Sequence, residues 1–208
     1  MRVALIDYGA GNLRSAGRAL VEAGAAPVLV TDPAGLRGVE AIIIPGVGAF
    51  APAMARLASA GLVGPIREAG RSGLPLVGLC LGMQLLFVQS EEGSPAAGLG
   101  LIRGRVRRLP SDVKVPHMGW NTLEVARPDR LFEGLPARPF VYYVHSYVVV
   151  PDDPDVVIAE TTYGARFPAV VRQGMIWGLQ FHPEKSSRTG AHLLRNLVSH
   201  IAAERVRA

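Results

Sequence analysis

The sequence predicts an α/β fold with a mostly parallel central sheet flanked by helices, and with antiparallel strands added in its second half. Two observations carry this. In the first half, short and nearly continuous apolar runs alternate with segments of helical periodicity, as expected of strands buried on both faces by crossover helices. In the second half, strand-like runs follow one another with only short turn signals between them, which suits hairpins.

The elements follow in order. Residues 2–7 form an apolar strand, and residues 12–23 carry Leu13, Ala16, Ala19, Leu20 and Ala23 at helical spacing. Strands are expected at 26–31 and at 40–45, the latter around Ile42-Ile43-Ile44. Residues 50–71 hold one or two helices, broken near Gly61 and Pro65. A strand at 74–79 runs into Cys80, and the residues from Met83 to Phe87 start a helix. Further strands are expected at 101–109, 122–125, 139–150, 156–162, 167–172 and 175–181. Turn signals such as Pro151-Asp152-Asp153-Pro154, Tyr163-Gly164 and Gln173-Gly174 separate them. A helix over about 189–205, with Leu193, Leu194, Leu197, Val198 and Ile201 on one side, closes the chain. No repeat or linker interrupts it, so residues 1–208 read as one domain.

Composition narrows the function classes. Hydrophobic residues at 49% and charged residues at 19% suit a folded globular protein. A single cysteine excludes an internal disulfide and fits a reducing compartment. With no leader and no apolar run long enough to cross a bilayer, the expected location is the cytoplasm, away from membranes. The net charge of +5 raises the question of nucleic acid. The densest basic run puts Arg103, Arg105 and Arg107 on one strand face without interleaved aromatic residues. That reads as a solvated or partner-facing strand, with no nucleic-acid partner.

The lone cysteine lies in Gly78-Leu79-Cys80-Leu81-Gly82, between a strand and a helix. This is the layout of a nucleophile elbow with sulfur in place of a serine oxygen. The strand-to-helix turn strains the central residue, and the flanking glycines give the chain room to bend. Free N–H groups at the helix start favour a thiolate.

A reactive thiol needs a base, and the base needs an orienting group. His182 directly follows a strand, and Glu184 lies two residues on across Pro183, close enough to hold the imidazole. Of the other histidines, His192 and His200 fall on the terminal helix as surface or packing residues, and His117 falls in a loop beside Pro116. His145, among Tyr142, Tyr143 and Tyr147, suits core packing and substrate contact equally.

Gly78-Leu79-Cys80-Leu81-Gly82-Met83-Gln84, Pro45-Gly46-Val47-Gly48-Ala49-Phe50 and Gln180-Phe181-His182-Pro183-Glu184-Lys185 resemble, in their order, the motifs of triad-type class I glutamine amidotransferases. The resemblance implies a flavodoxin-like sheet. It implies that Cys80 attacks the side-chain amide of glutamine, that His182 moves the proton to departing ammonia, and that Glu184 orients His182. The N–H of Leu81 and the Gly46, Val47, Gly48 segment would supply the oxyanion hole, and Gln84, Ser146 and Tyr147 would hold substrate. Residues 1–12 and Pro116-His117-Met118-Gly119-Trp120-Asn121 further resemble glutaminase subunits of imidazole glycerol phosphate synthases. That implies a heterodimer with a (β/α)8-barrel cyclase that receives ammonia for histidine biosynthesis. Tyr8, Gly9, Asn12, Trp120 and Asn121 would then lie towards the partner. No cofactor and no metal are called for.

Three other readings compete. Gly9-Ala10-Gly11 after a strand, with Asp32 further on, echoes a dinucleotide fingerprint, but Arg14 stands where its third glycine belongs. Glutaminases serving aminobenzoate, guanylate or pyridoxal phosphate synthesis are an alternative, of which the first two resemble this chain at the triad. A regulatory protein that kept the fold and lost catalysis is the third, and the complete triad opposes it.

Overall fold

Five parallel strands position the site. The computed structural model describes residues 1–9 and 11–207, with side chains described as far as Glu204. Ala10, part of the dinucleotide-like stretch, lies outside them.

The first half alternates as its periodicity demands: β1 (Arg2–Ile6), α1 (Leu13–Glu22), β2 (Ala26–Val30), β3 (Ala41–Ile44), α2 (Phe50–Ser59), α3 (Val63–Arg71), β4 (Leu76–Leu79) and α4 (Leu81–Leu85). Residues alternate across the pleat. Val3, Leu5, Ile43, Val77 and Leu79 pack on one side of the sheet with Ala16 and Leu20 of α1. Ala4, Ile6, Ile42, Ile44 and Leu76 pack on the other with Phe50, Leu57 and Ile66. The break between α2 and α3 falls at Gly61, which takes φ 69°. Pro65, expected as a breaker, sits in the first turn of α3, where its missing N–H costs no helical bond.

The second half continues with β5 (Phe87–Ser90), β6 (Ala96–Ala97), β7 (Ile102–Arg108), β8 (His117–Thr122), β9 (Glu124–Val125), β10 (Phe140–His145), β11 (Tyr147–Pro151), β12 (Val157–Tyr163), β13 (Ala165–Gln173), β14 (Ile176–Leu179) and α5 (Ser187–Arg207). Three expectations are corrected here, and two short strands are added. The helix after the elbow is only five residues long, and Phe87 already begins a strand. The short strands β5 and β6 had no sequence signal strong enough to expect them. His117 is in β8 rather than a loop and is buried. The run at 139–150 is two strands that part at Ser146 and join different sheets.

The main sheet has the order β2-β1-β3-β4-β14-β13-β12-β9. Pairing is parallel from β2 to β14 and antiparallel from there on. β8 and β10 form an antiparallel ribbon, and β11-β7-β5-β6 form a third, smaller sheet. Among the described residues, no helix is long and apolar enough to cross a membrane.

The order places β3, β4 and β14 side by side and parallel. Their carboxyl ends therefore emerge together, where ligands bind in open α/β sheets. These ends carry Pro45-Gly46-Val47-Gly48, Cys80 and Gln180-Phe181-His182.

Candidate active site

Cys80 takes φ 55° and ψ −109°, a strained conformation for any residue with a side chain. Neither Gly78 nor Gly82 has a positive φ, so these glycines do not supply the bend as the sequence reading expected. Their role is close approach. A Cβ on Gly78 would lie 2.4 Å from the Gly82 carbonyl oxygen, and one on Gly82 would lie 1.8 Å from the Ile44 carbonyl oxygen. The elbow is thus folded onto itself and pressed against β3. The Cys80 thiol is buried and donates to the Val144 carbonyl at 3.8 Å.

His182 and Glu184 come to the same strand ends. His182 Nδ1 lies 2.8 Å from Glu184 Oε1, and both side chains are buried. Asn12 Nδ2 donates to the same carboxylate oxygen. The carboxylate fixes the proton on Nδ1, which leaves Nε2 as the basic nitrogen. No nitrogen or oxygen partner meets Nε2, which leaves it to the Cys80 sulfur. Burial lowers the imidazole's affinity for a proton, but the neighbouring Cys80 sulfur and Glu184 carboxylate outweigh it and raise its pKa to about 10.

The segment after β3 faces the elbow. Tyr8 Oη donates to the Pro45 carbonyl at 2.8 Å. Leu81 N donates to the Gly46 carbonyl at 3.4 Å. Gly48 holds φ 101°, which favours glycine. The N–H that an oxyanion would need is thus engaged by a carbonyl. Rotating the Gly46–Val47 peptide would withdraw that oxygen and present the Val47 N–H in its place.

A cavity of about 330 Å³ opens over Cys80, lined among others by Val47, Gly48, Leu81, Gln84, Ser146 and Tyr147. It is at the small end of ligand pockets, roughly 300–1,000 Å³, and suits one amino acid. Gln84 Nε2 donates to the Tyr147 carbonyl at 3.1 Å and to Gln180 Oε1 at 3.2 Å. His145 lines the cavity and is also buried.

Two residues here escaped the sequence reading. Glu92 is a carboxylate lining the cavity, where it can meet the ammonium group of an amino acid. Its Oε2 also accepts from Phe50 N at 2.7 Å. It sits in a polar turn with no pattern to mark it. Gln180 is fully buried and donates to Cys80 Sγ at 3.9 Å. A glutamine inside an apolar strand was the available signal.

The residues expected to face a partner divide. Trp120 is exposed, and Met118 and Phe140 on the same face of the ribbon join it at 52, 63 and 56% exposure respectively. Gly9 is exposed as well. Tyr8 is buried against the oxyanion segment, and burial, with the Cys80 charge adding to it, pushes its hydroxyl pKa up. Asn12 is bonded to Glu184, and Asn121 Nδ2 donates to the Thr162 carbonyl at 3.0 Å.

Comparison with known proteins agrees with this geometry. The class-I glutamine amidotransferase family model matches residues 4–201. The imidazole glycerol phosphate synthase subunit HisH of Moorella thermoacetica is 50% identical over 194 residues, covering 93% of this chain and 92% of that protein. The subunit of the same name from Methanopyrus kandleri is 48% identical over 202 residues, covering 96% and 98%. Among solved structures, PurLQS from Thermotoga maritima shares the fold with a TM-score of 0.76 at 21% identity, over 96% of this chain and 98% of that one. The elbow, the strand order and these matches lead to one conclusion: the chain belongs to the class-I glutamine amidotransferase family.

Proposed function

We infer that the chain, acting as one domain, is the glutaminase subunit of an imidazole glycerol phosphate synthase. The observation that carries the chemistry is a buried His182–Glu184 pair at 2.8 Å beside a thiol held in a strained elbow at the floor of a cavity sized for an amino acid. The identity of the relatives supports the particular synthase.

In this reading the Cys80 proton passes to His182 Nε2, and Sγ attacks the carboxamide carbon of glutamine. The negative oxygen that forms is met by the N–H groups of Leu81 and Val47 once the Gly46–Val47 peptide has turned. His182 returns its proton to the departing nitrogen, ammonia leaves, and a glutamyl thioester remains. Water, deprotonated by His182, then releases glutamate and restores the thiol. Glu92 takes the substrate's ammonium group, and Ser146 and Tyr147 hold its amino-acid end.

The partner in this reading is a (β/α)8-barrel cyclase in the cytoplasm, which receives the ammonia for histidine biosynthesis. Support for a protein partner comes from Met118, Trp120 and Phe140, a cluster of large apolar side chains that is unusual on a free surface. The test is glutamate release by the chain mixed with a barrel cyclase, followed as the cyclase's acceptor substrate is added. Turnover that rises on assembly supports the reading, and turnover only with a different synthase's partner would reject it.

A further inference from the structure

Two buried histidines outside the triad form a directed chain that ends at the nucleophile. His117 Nδ1 lies 3.1 Å from His145 Nε2, and His145 Nδ1 lies 2.9 Å from the Tyr147 carbonyl oxygen. Asn121 Nδ2 lies 3.3 Å from His117 Nε2. His117 is held flat between Tyr143 and Tyr163, with ring centroids at 4.8 and 4.0 Å.

The two ends settle every proton independently. A carbonyl oxygen only accepts, so His145 carries its proton on Nδ1 and accepts at Nε2. His117 must then donate from Nδ1 and accept at Nε2. At the far end, Asn121 Oδ1 accepts from Thr122 N at 2.8 Å, and Nδ2 donates to the Thr162 carbonyl. That fixes the amide so that its nitrogen faces His117, which requires the same acceptor at Nε2. Both rings are neutral in this arrangement, and burial, the dominant influence on each, lowers His117 to about 4 and His145 to about 3.

The order continues inward. The Tyr147 carbonyl accepts from His145 and from Gln84 Nε2. Gln84 also donates to Gln180 Oε1, which turns the Gln180 amide nitrogen towards Cys80 Sγ. We propose that Asn121, His117 and His145 are positioning residues that fix the Tyr147 carbonyl, and through it the Gln84 and Gln180 amides, in the orientation that shapes the glutamine pocket. The proposal rests on the glutaminase reading of that pocket.

Two measurements test it. Nitrogen-15 NMR of the histidines in the folded chain reads the direction of the chain. Both rings are expected in the Nδ1–H form, the minority tautomer of free imidazole, and Nε2–H signals for either would overturn the proposal. Kinetics read its role. In the assembled glutaminase, His145→Phe and Asn121→Asp should raise KM for glutamine roughly five- to tenfold with a smaller effect on kcat. His145→Asn, which keeps a donor near the Nδ1 position, should recover part of that. A merely structural role would lower the active fraction and leave KM alone, so folded variants with unchanged KM would overturn the proposal. If His145→Phe fails to fold, Asn121→Asp carries the kinetic arm. A wild-type chain that turns over no glutamine would reject the function proposed above, while the NMR result still decides the direction.

Discussion

The amide of Leu81 donates to the carbonyl oxygen of Gly46 at 3.4 Å, so the oxyanion site proposed above is closed by the chain's own backbone. One donor is occupied, and the second, Val47 N–H, is turned away. Opening needs a peptide rotation between two glycines, one of which already has φ 101°. The isolated chain is therefore expected to hydrolyse glutamine at least tenfold more slowly than the complex, as a population shift towards the turned form requires. Equal rates with and without partner would reject this.

Gly82 and Gly17 should respond to alanine in opposite directions. At Gly82 the new methyl would lie 1.8 Å from the Ile44 carbonyl oxygen, which forces β3 and the elbow apart. A loss above ~3 kcal/mol is expected. At Gly17, inside α1, the methyl would meet Leu5 Cδ2 at 3.6 Å, an ordinary contact. Helix propensity then adds about 0.5–1 kcal/mol. Urea midpoints of the two variants check both signs.

Within the triad, His182→Ala should cost nearly as much turnover as loss of the thiol, about 10³-fold or more, because the groups act as a unit. Glu184→Gln should cost less, since an amide oxygen can still accept from His182 Nδ1, and Asn12 remains beside it. Asn12→Ala should cost less again. Steady-state glutamate release ranks the three.

Acid should destabilise the fold through His117 and His145. Both have folded pKa values, about 4 and about 3, that lie below the unfolded value near 6.5. Unfolding therefore takes up protons between those limits, and stability falls as pH drops from 6.5 towards 4. His182, raised to about 10, is protonated in the folded state across that window; its contribution opposes the trend near pH 6.5 and flattens below about 5.5, where the unfolded imidazole is protonated too. Thermal midpoints measured from pH 7 to pH 4 should fall, and more shallowly for His145→Asn. A flat profile would contradict the buried neutral pair.

Much of this was legible in the sequence because the parallel half obeys simple periodicity. The apolar runs Ile42-Ile43-Ile44 and Leu76-Val77 are buried on both faces, as their alternation with helical segments predicts. Cys80 and His182 meet because β4 and β14 pair in parallel, with Leu79 opposite Leu179, and that pairing is invisible locally. The family motifs supplied it. What stayed hidden depends on close approach: the clash that forbids a Cβ at Gly82, and the parting of β10 from β11 at Ser146. The same is true of Tyr8 and Asn12, which resemblance sends outward but whose side chains are spent on Pro45 and Glu184. The helix α4 was expected but its early end was not, because the apolar run Leu85-Leu86-Phe87-Val88 fits a helix and a strand equally well.

The central claim is that the sulfur of Cys80 is the nucleophile in glutamine hydrolysis. Glutamate release by the assembled complex, compared between wild type and Cys80→Ala, tests it most directly. The account predicts loss of all measurable release in the alanine variant, with fold and partner binding retained. Release at a rate near wild type from that variant would contradict it.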